Sequence, residues 1–212
     1  MPSLPWVQSS QIYSGKPAIL IIIALFLVYF FKEILLKQLS SKSTIFYAFL
    51  FPGVILHELS HIAGCAITFT KISSFKLFSK SGGFVKHEEP KLPVLGILII
   101  SIAPLLSGLA VVYLILTKKF ANFDLASLNS ASEIFAALFF FYLIITVVLT
   151  MLPSYQDLQN AFISYFILAA TLVIFQEKLA IYLNPILLTL IFCLGALIVV
   201  NFILYAVKHL HR

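Results

Sequence analysis

The chain has 212 residues, of which 61% are apolar and only 10% are charged. Soluble domains usually carry about 25% charged residues. A water-soluble enzyme of this size is therefore excluded, because it could not bury so much apolar surface. The low charge and the 15% aromatic content also exclude a disordered chain. The composition instead predicts a membrane-embedded helical bundle whose apolar outer face is covered by lipid.

The net charge of +6 does not indicate a nucleic-acid-binding protein. The Lys residues are scattered among short polar stretches and form no basic stripe, so we expect them to contact lipid headgroups and predict no nucleic-acid partner.

Cys65 and Cys193 both lie in apolar stretches, so the sequence does not imply a disulfide framework.

Six apolar segments are long enough to cross a bilayer, which takes about 20 helical residues. In chain order these segments are residues 17–36, 44–69, 92–117, 134–152, 158–175 and 186–207. Six spans place both termini on one side, and slightly more Lys and Arg residues fall there, which predicts cytoplasmic termini. We therefore predict a multi-pass, all-α integral membrane bundle that forms one domain over residues 1–212.

The longest connection between these spans, residues 70–91, is predicted to form a small membrane-associated β-hairpin after the second span. Apolar and polar residues alternate imperfectly on both sides of Ser81-Gly82-Gly83, a pattern typical of a hairpin with a glycine turn. An ordinary surface loop is the alternative interpretation of the same stretch.

The second span contains His57-Glu58-Leu59-Ser60-His61, which is the H-E-x-x-H pattern. Residues i and i+4 share a helix face, so both imidazoles can reach one zinc ion. Glu58 lies one position round the helix from His57, where it could take a proton from an attacking water. In a soluble helix these residues could form a solvated face, but a charged group at mid-bilayer costs about 2.5–3.5 kcal/mol. The pattern therefore predicts a metal site inside the bundle.

A catalytic zinc usually has three protein ligands, so the two histidines require a third partner. Most acidic residues fall at span ends or in loops, whereas Asp157 follows the fourth span at Pro153, where irregular backbone can line a cavity. The alternative role for Asp157 is to be the helix N-cap residue of the fifth span. Cys65 lies about 12 Å along the helix axis from His57, which is too far for one metal. The sequence thus predicts one Zn²⁺ per chain, bound by His57, His61 and Asp157.

With these residues the chain resembles the site-2 protease family of intramembrane zinc metalloproteases. The resemblance covers roughly residues 44–160 and rests on four features in chain order. These are the motif His57–His61, the hairpin region ending Gly82–His87, the stretch Ala103–Gly108, and Met151-Leu152-Pro153 followed by Asp157.

Two positions depart from the family pattern. Ser107 stands where the family often has Asn, and Leu158 follows Asp157 where the family usually has Gly. The resemblance implies a catalytic core over residues 44–160, with residues 17–36 and 186–207 as flanking transmembrane helices.

The resemblance also implies hydrolysis of peptide bonds within or near transmembrane segments of other membrane proteins. Glu58 would be the catalytic base, and the hairpin would hold an unwound substrate segment by strand addition. The residues expected to contact this transmembrane substrate are Gly83, Phe84, Val85, Ser107 and Asn160.

Three other functions stay open at this point. A catalytically inactive membrane binding protein could have kept the site, although the complete H-E-x-x-H motif speaks against a loss of turnover. A metal or ion transporter could use the histidine pair at mid-membrane, but the first, fourth and sixth spans offer few further polar residues. A zinc protease that cuts at the membrane surface would need a Glu as third ligand, and no Glu is convincingly placed. The sequence names neither the substrate nor the oligomeric state.

Overall fold

The computed structural model describes residues 16–38, 48–79, 82–118 and 130–210. Residues 44–47 of the predicted second span and Ser81 of the predicted turn lie outside this part. The described elements are α1 (Pro17–Gln38), α2 (Phe51–Ile67), β1 (Ile72–Lys76), β2 (Phe84–His87), α3 (Pro93–Lys118), α4 (Ala131–Thr150), α5 (Tyr155–Asn160), α6 (Phe162–Ile174) and α7 (Gln176–Leu210).

Four of the described helices, α1, α3, α4 and α7, are long and apolar enough to cross a membrane. They correspond to the first, third, fourth and sixth predicted spans. Helices α2 and α6 are also apolar but have only 17 and 13 residues. The predicted helical membrane protein is thus confirmed for four helices of membrane-spanning length, whereas the count of six spans stays a prediction.

The chain divides into two compact units. The first contains α1, the part of α6 from Phe166 onward, and α7. The second contains the described residues between Ser40 and Tyr165, which include α2, the two strands, α3, α4 and α5. Every predicted site residue lies in the second unit. The single protease domain over residues 1–212 stays a prediction.

In the first unit, α1 packs along α7 through apolar side chains and one buried amide. Val28 and Leu197 are fully buried on these two helices. The Asn201 side chain donates to the Phe31 carbonyl at 3.2 Å and accepts from Gln38 Nε2 at 3.3 Å. Because a buried amide between membrane helices needs partners, these bonds favour one register of α1 against α7.

In the second unit, α2 packs against both α3 and α4, and two glycines bring the backbones close. A Cβ atom on Gly53 would collide with the Thr146 carbonyl oxygen of α4. A Cβ atom on Gly64 would lie 2.9 Å from Ile100 Cα of α3. Small residues allow such close approach between apolar helices. The face of α2 that carries the H-E-x-x-H motif is thereby held beside both neighbours.

The C-terminus of α2 turns the chain into the hairpin through a Schellman motif. Phe69 adopts a left-handed conformation with φ of 52°. The Thr70 N–H then donates to the Cys65 carbonyl at 2.8 Å, and the Phe69 N–H donates to the Ala66 carbonyl at 3.2 Å. These bonds satisfy carbonyls at the helix end that would otherwise lack donors.

The predicted β-hairpin is confirmed. Strands β1 and β2 pair antiparallel, with Phe75 opposite Val85 and Lys76 opposite Phe84. Gly82, in the connection between the strands, has φ of 103°, a conformation that favours glycine. Strand β2 begins two residues after this glycine and contacts α2.

Replacing Gly53 with Ala should destabilise the second unit by about 1–3 kcal/mol, because the added methyl group forces α2 and α4 apart. Thermal unfolding of the purified protein in detergent measures the change. Gly195→Ala in α7 is the matched control, since nothing lies within 4 Å of a Cβ atom at that position. Equal melting temperatures for the two variants would contradict the tight packing of α2 on α4.

Candidate metal centre

Helices α2 and α5 bring the three predicted metal ligands together. His57 and His61 lie one turn apart on α2, and their rings meet edge to face with centroids 4.7 Å apart. Asp157 approaches them from α5. One ligand atom from each of the three residues lies within 4.8 Å of the other two, so this group could hold a metal ion.

The two histidines face each other through their Nε2 atoms, which are 3.1 Å apart. His61 Nε2 also lies 3.8 Å from Asp157 Oδ2. A tetrahedral ion with bonds of about 2.0–2.2 Å keeps its ligand atoms about 3.3–3.6 Å apart. The observed separations of 3.1 and 3.8 Å fall just outside this range, one on each side, so the arrangement comes close to the dimensions of a metal site.

The other ring nitrogen of each histidine lies against a backbone carbonyl. His57 Nδ1 is 2.6 Å from the Thr150 oxygen, and His61 Nδ1 is 2.9 Å from the Ile100 oxygen. Because a carbonyl oxygen can only accept, each neutral ring carries its proton on Nδ1 and presents an Nε2 lone pair. Histidines that bind metals commonly donate their second N–H to such a carbonyl.

Two nitrogen lone pairs and a carboxylate oxygen therefore converge on one point. Three acceptors at these distances repel one another unless a proton or a cation lies among them. Two imidazole nitrogens and one carboxylate oxygen are a common ligand set for catalytic zinc. The residues present thus fit the metal that the sequence predicts.

A capping box at the start of α5 holds Asp157 in place. Asp157 Oδ2 accepts from the Ser154 N–H at 2.9 Å and from Ser154 Oγ at 2.7 Å. The Asp157 N–H donates in return to Ser154 Oγ at 3.2 Å. The alternative role of Asp157 as the N-cap residue is wrong, because Ser154 is the N-cap and Asp157 occupies the third helical position.

The same capping box explains why the Thr150 carbonyl is available to His57. In a continuous helix this carbonyl would accept from the N–H four residues later, which belongs to Ser154. Helix α4 ends at Thr150, and the Ser154 N–H donates to Asp157 instead. Asp157 thus fixes its own carboxylate and also leaves a carbonyl free to orient His57.

Glu58 lies next to the predicted metal ligands, beneath the connection that leads into β2. Its side chain is buried, and a Cβ atom on Gly83 would collide with Glu58 Cγ. Only a residue without a side chain allows the backbone to cross Glu58 this closely. In the part of the chain that the structure describes, no hydrogen bond to the Glu58 carboxylate is found.

A cavity of about 660 Å³ opens onto these residues. Four of the five predicted substrate contacts, Gly83, Phe84, Val85 and Asn160, line it. The fifth, Ser107, is not among the lining residues. Its hydroxyl is hydrogen-bonded to Ser60 Oγ and donates to the Pro104 carbonyl, so its observed contacts join α2 to α3.

Sequence reasoning missed several groups around this cavity. His87, Glu88 and Glu89 line it at the end of β2, and all three are exposed. The backbone carbonyls that orient His57 and His61 were also not predicted. Pro153, just after α4, was the available signal for the Thr150 carbonyl that orients His57, because a residue without an N–H helps to end a helix.

No protein-family model matches this chain, and neither the curated proteins nor the solved structures yield a match.

Replacing Asp157 with Gln should lower zinc affinity by at least about 10-fold, since one of three protein ligands loses its charge. Gln at this helical position can still return a hydrogen bond to Ser154, so α5 should keep its capping box. Zinc affinity is measured by competition with a chromophoric chelator.

Glu133→Gln is the matched control, because Glu133 closes the equivalent capping box with Ser130 at the start of α4. This variant should bind zinc as tightly as the wild type. If both variants kept wild-type affinity, Asp157 would not be the third ligand.

Proposed function

We propose that the chain is a multi-pass intramembrane zinc metalloprotease, similar to the site-2 protease family, which hydrolyses peptide bonds within or near transmembrane segments of other membrane proteins. The observation that carries the proposal is the convergence of His57 Nε2, His61 Nε2 and Asp157 Oδ2 beside the buried Glu58. All four residues line one cavity in a chain rich in apolar helices.

Zinc is the metal that we propose for this site, with one ion per chain. His57, His61 and Asp157 would hold it and leave an open position, which is characteristic of catalytic rather than structural zinc sites. When bound, zinc would supply a Lewis acid and make water a nucleophile at neutral pH.

Glu58 is the proposed catalytic base. Its carboxylate would accept a proton from the attacking water while the water oxygen bonds to the scissile carbonyl carbon. As the C–N bond breaks, Glu58 would deliver that proton to the leaving amine nitrogen. Its burial beneath Gly83 keeps the carboxylate beside the histidines and limits its exchange with bulk water.

Strand β2 is the proposed platform for substrate. Gly83 and the β2 residues border the cavity, whereas none of the β1 residues does. A transmembrane segment is helical and must unwind before its peptide bonds become accessible. An extended segment could add to β2 as a further strand, which would satisfy its backbone groups and hold a peptide bond near His57 and His61.

The proposed topology keeps six spans with cytoplasmic termini. Helices α1 and α7 would be the flanking anchors, and α2 and α6 would serve as the second and fifth spans. The partners of the protein would then be the lipid bilayer and a transmembrane substrate.

Glu58→Gln should abolish proteolysis while zinc stays bound, because the substitution removes the proton acceptor and leaves every ligand intact. We expect a loss of about 10²–10⁴-fold in the cleavage rate. Cleavage of candidate single-span proteins is measured in proteoliposomes, and zinc content is measured by elemental analysis. Glu177→Gln is the control, since this carboxylate is exposed in the first turn of α7.

Three outcomes would contradict this proposal. Wild-type turnover by Glu58→Gln would rule out the proposed base. A wild-type protein that binds zinc but cleaves none of the candidate substrates would favour an inactive binding protein. Zinc movement across the vesicle membrane, without cleavage, would favour a transporter.

Phe84→Pro should reduce cleavage without changing zinc content, because proline removes a backbone donor from β2 and disturbs its pairing with β1. Phe84→Ala is the control, since it removes the same ring and keeps the backbone N–H. Substrate KM and kcat are measured for both variants. If the two variants cleaved equally well, strand addition to β2 would lose its support.

A further inference from the structure

Helix α3 contains a proline in its interior, at Pro104, and this side chain is fully buried. Proline has no backbone N–H, so the carbonyl four residues earlier loses its helical donor. That carbonyl belongs to Ile100. Among apolar helices such a group must find another donor within the protein.

His61 supplies this donor. His61 Nδ1 lies 2.9 Å from the Ile100 oxygen, and both residues are buried. The next carbonyl of the same turn, that of Ser101, accepts from the Tyr165 hydroxyl at 3.0 Å. The carbonyls of Ile100 and Ser101, in the turn before Pro104, therefore receive hydrogen bonds from side chains outside α3.

We propose that Pro104 is a positioning residue for the metal centre, because it reserves the Ile100 carbonyl for His61. This bond keeps the proton of His61 on Nδ1 and leaves the Nε2 lone pair directed at His57 and Asp157. The inference rests on the proposed metal site and adds to it a residue outside the ligand set.

The close packing of α2 on α3 makes this arrangement possible. Gly64 lies one turn from His61, and a Cβ atom there would lie 2.9 Å from Ile100 Cα. With an ordinary residue at position 104, its N–H would share the Ile100 carbonyl with His61 and weaken the bond between them. The Nδ1 tautomer of His61 would then be favoured less strongly, and the fraction protonated on Nε2 would oppose metal binding.

Pro104→Ala in the full-length protein tests this inference. The expected result is a fall of about 10–100-fold in zinc affinity, the usual effect of losing an outer-shell partner of a ligand. In metal-free protein labelled with ¹⁵N-histidine, the His61 signal should shift toward the tautomer protonated on Nε2. Helix content, measured by circular dichroism, should stay unchanged.

Pro185→Ala is the matched control, because Pro185 is also a helix-interior proline but belongs to the first unit. It should leave both zinc affinity and the His61 tautomer as in the wild type. A decrease in zinc affinity of equal size in both variants would overturn the inference.

Two further results would also overturn it. The first is wild-type affinity with a wild-type His61 tautomer in Pro104→Ala. The second is a His61 proton found on Nε2 in the wild-type protein. This measurement does not depend on the folding of any variant. If the wild type binds no zinc, the proposed function itself fails, and the tautomer measurement still decides whether Pro104 reserves the carbonyl for His61.

Discussion

Inside a bundle of apolar helices, each backbone carbonyl that leaves its helix must find a donor within the protein. The second unit meets this requirement at the same positions where it builds its site. The Ile100 carbonyl, left without a helical donor by Pro104, accepts from His61, and the Thr150 carbonyl at the end of α4 accepts from His57. Satisfying the backbone therefore also orients two side chains.

The close approach of the helices makes these bonds possible. Gly53 and Gly64 on α2 bring its backbone against α4 and α3, so that each histidine reaches a carbonyl of a different neighbour. The spacing of the motif then places both Nε2 atoms on one side of α2. The end of α4, the turn of α3 before Pro104 and the capping box of α5 hold the proposed ligands.

The sequence predicts local features well and tertiary contacts poorly. Hydropathy predicts α1, α3, α4 and α7, and the glycine turn predicts the hairpin, because these signals depend only on neighbouring residues. The contacts of Ser107 with α2 could not be read from the chain, since they depend on how two distant segments pack. A proline identifies which carbonyl loses its donor, but not which side chain will replace it.

The two capping boxes show how tertiary position turns a local motif into a part of a site. Ser130 and Glu133 begin α4 in an exposed setting, whereas Ser154 and Asp157 begin α5 within reach of His61. In the second box, the carboxylate that caps the helix also faces two nitrogen lone pairs, an arrangement that a cation stabilises. Metal binding at this site would therefore stabilise the junction of α4 and α5 and would couple folding of the second unit to the metal.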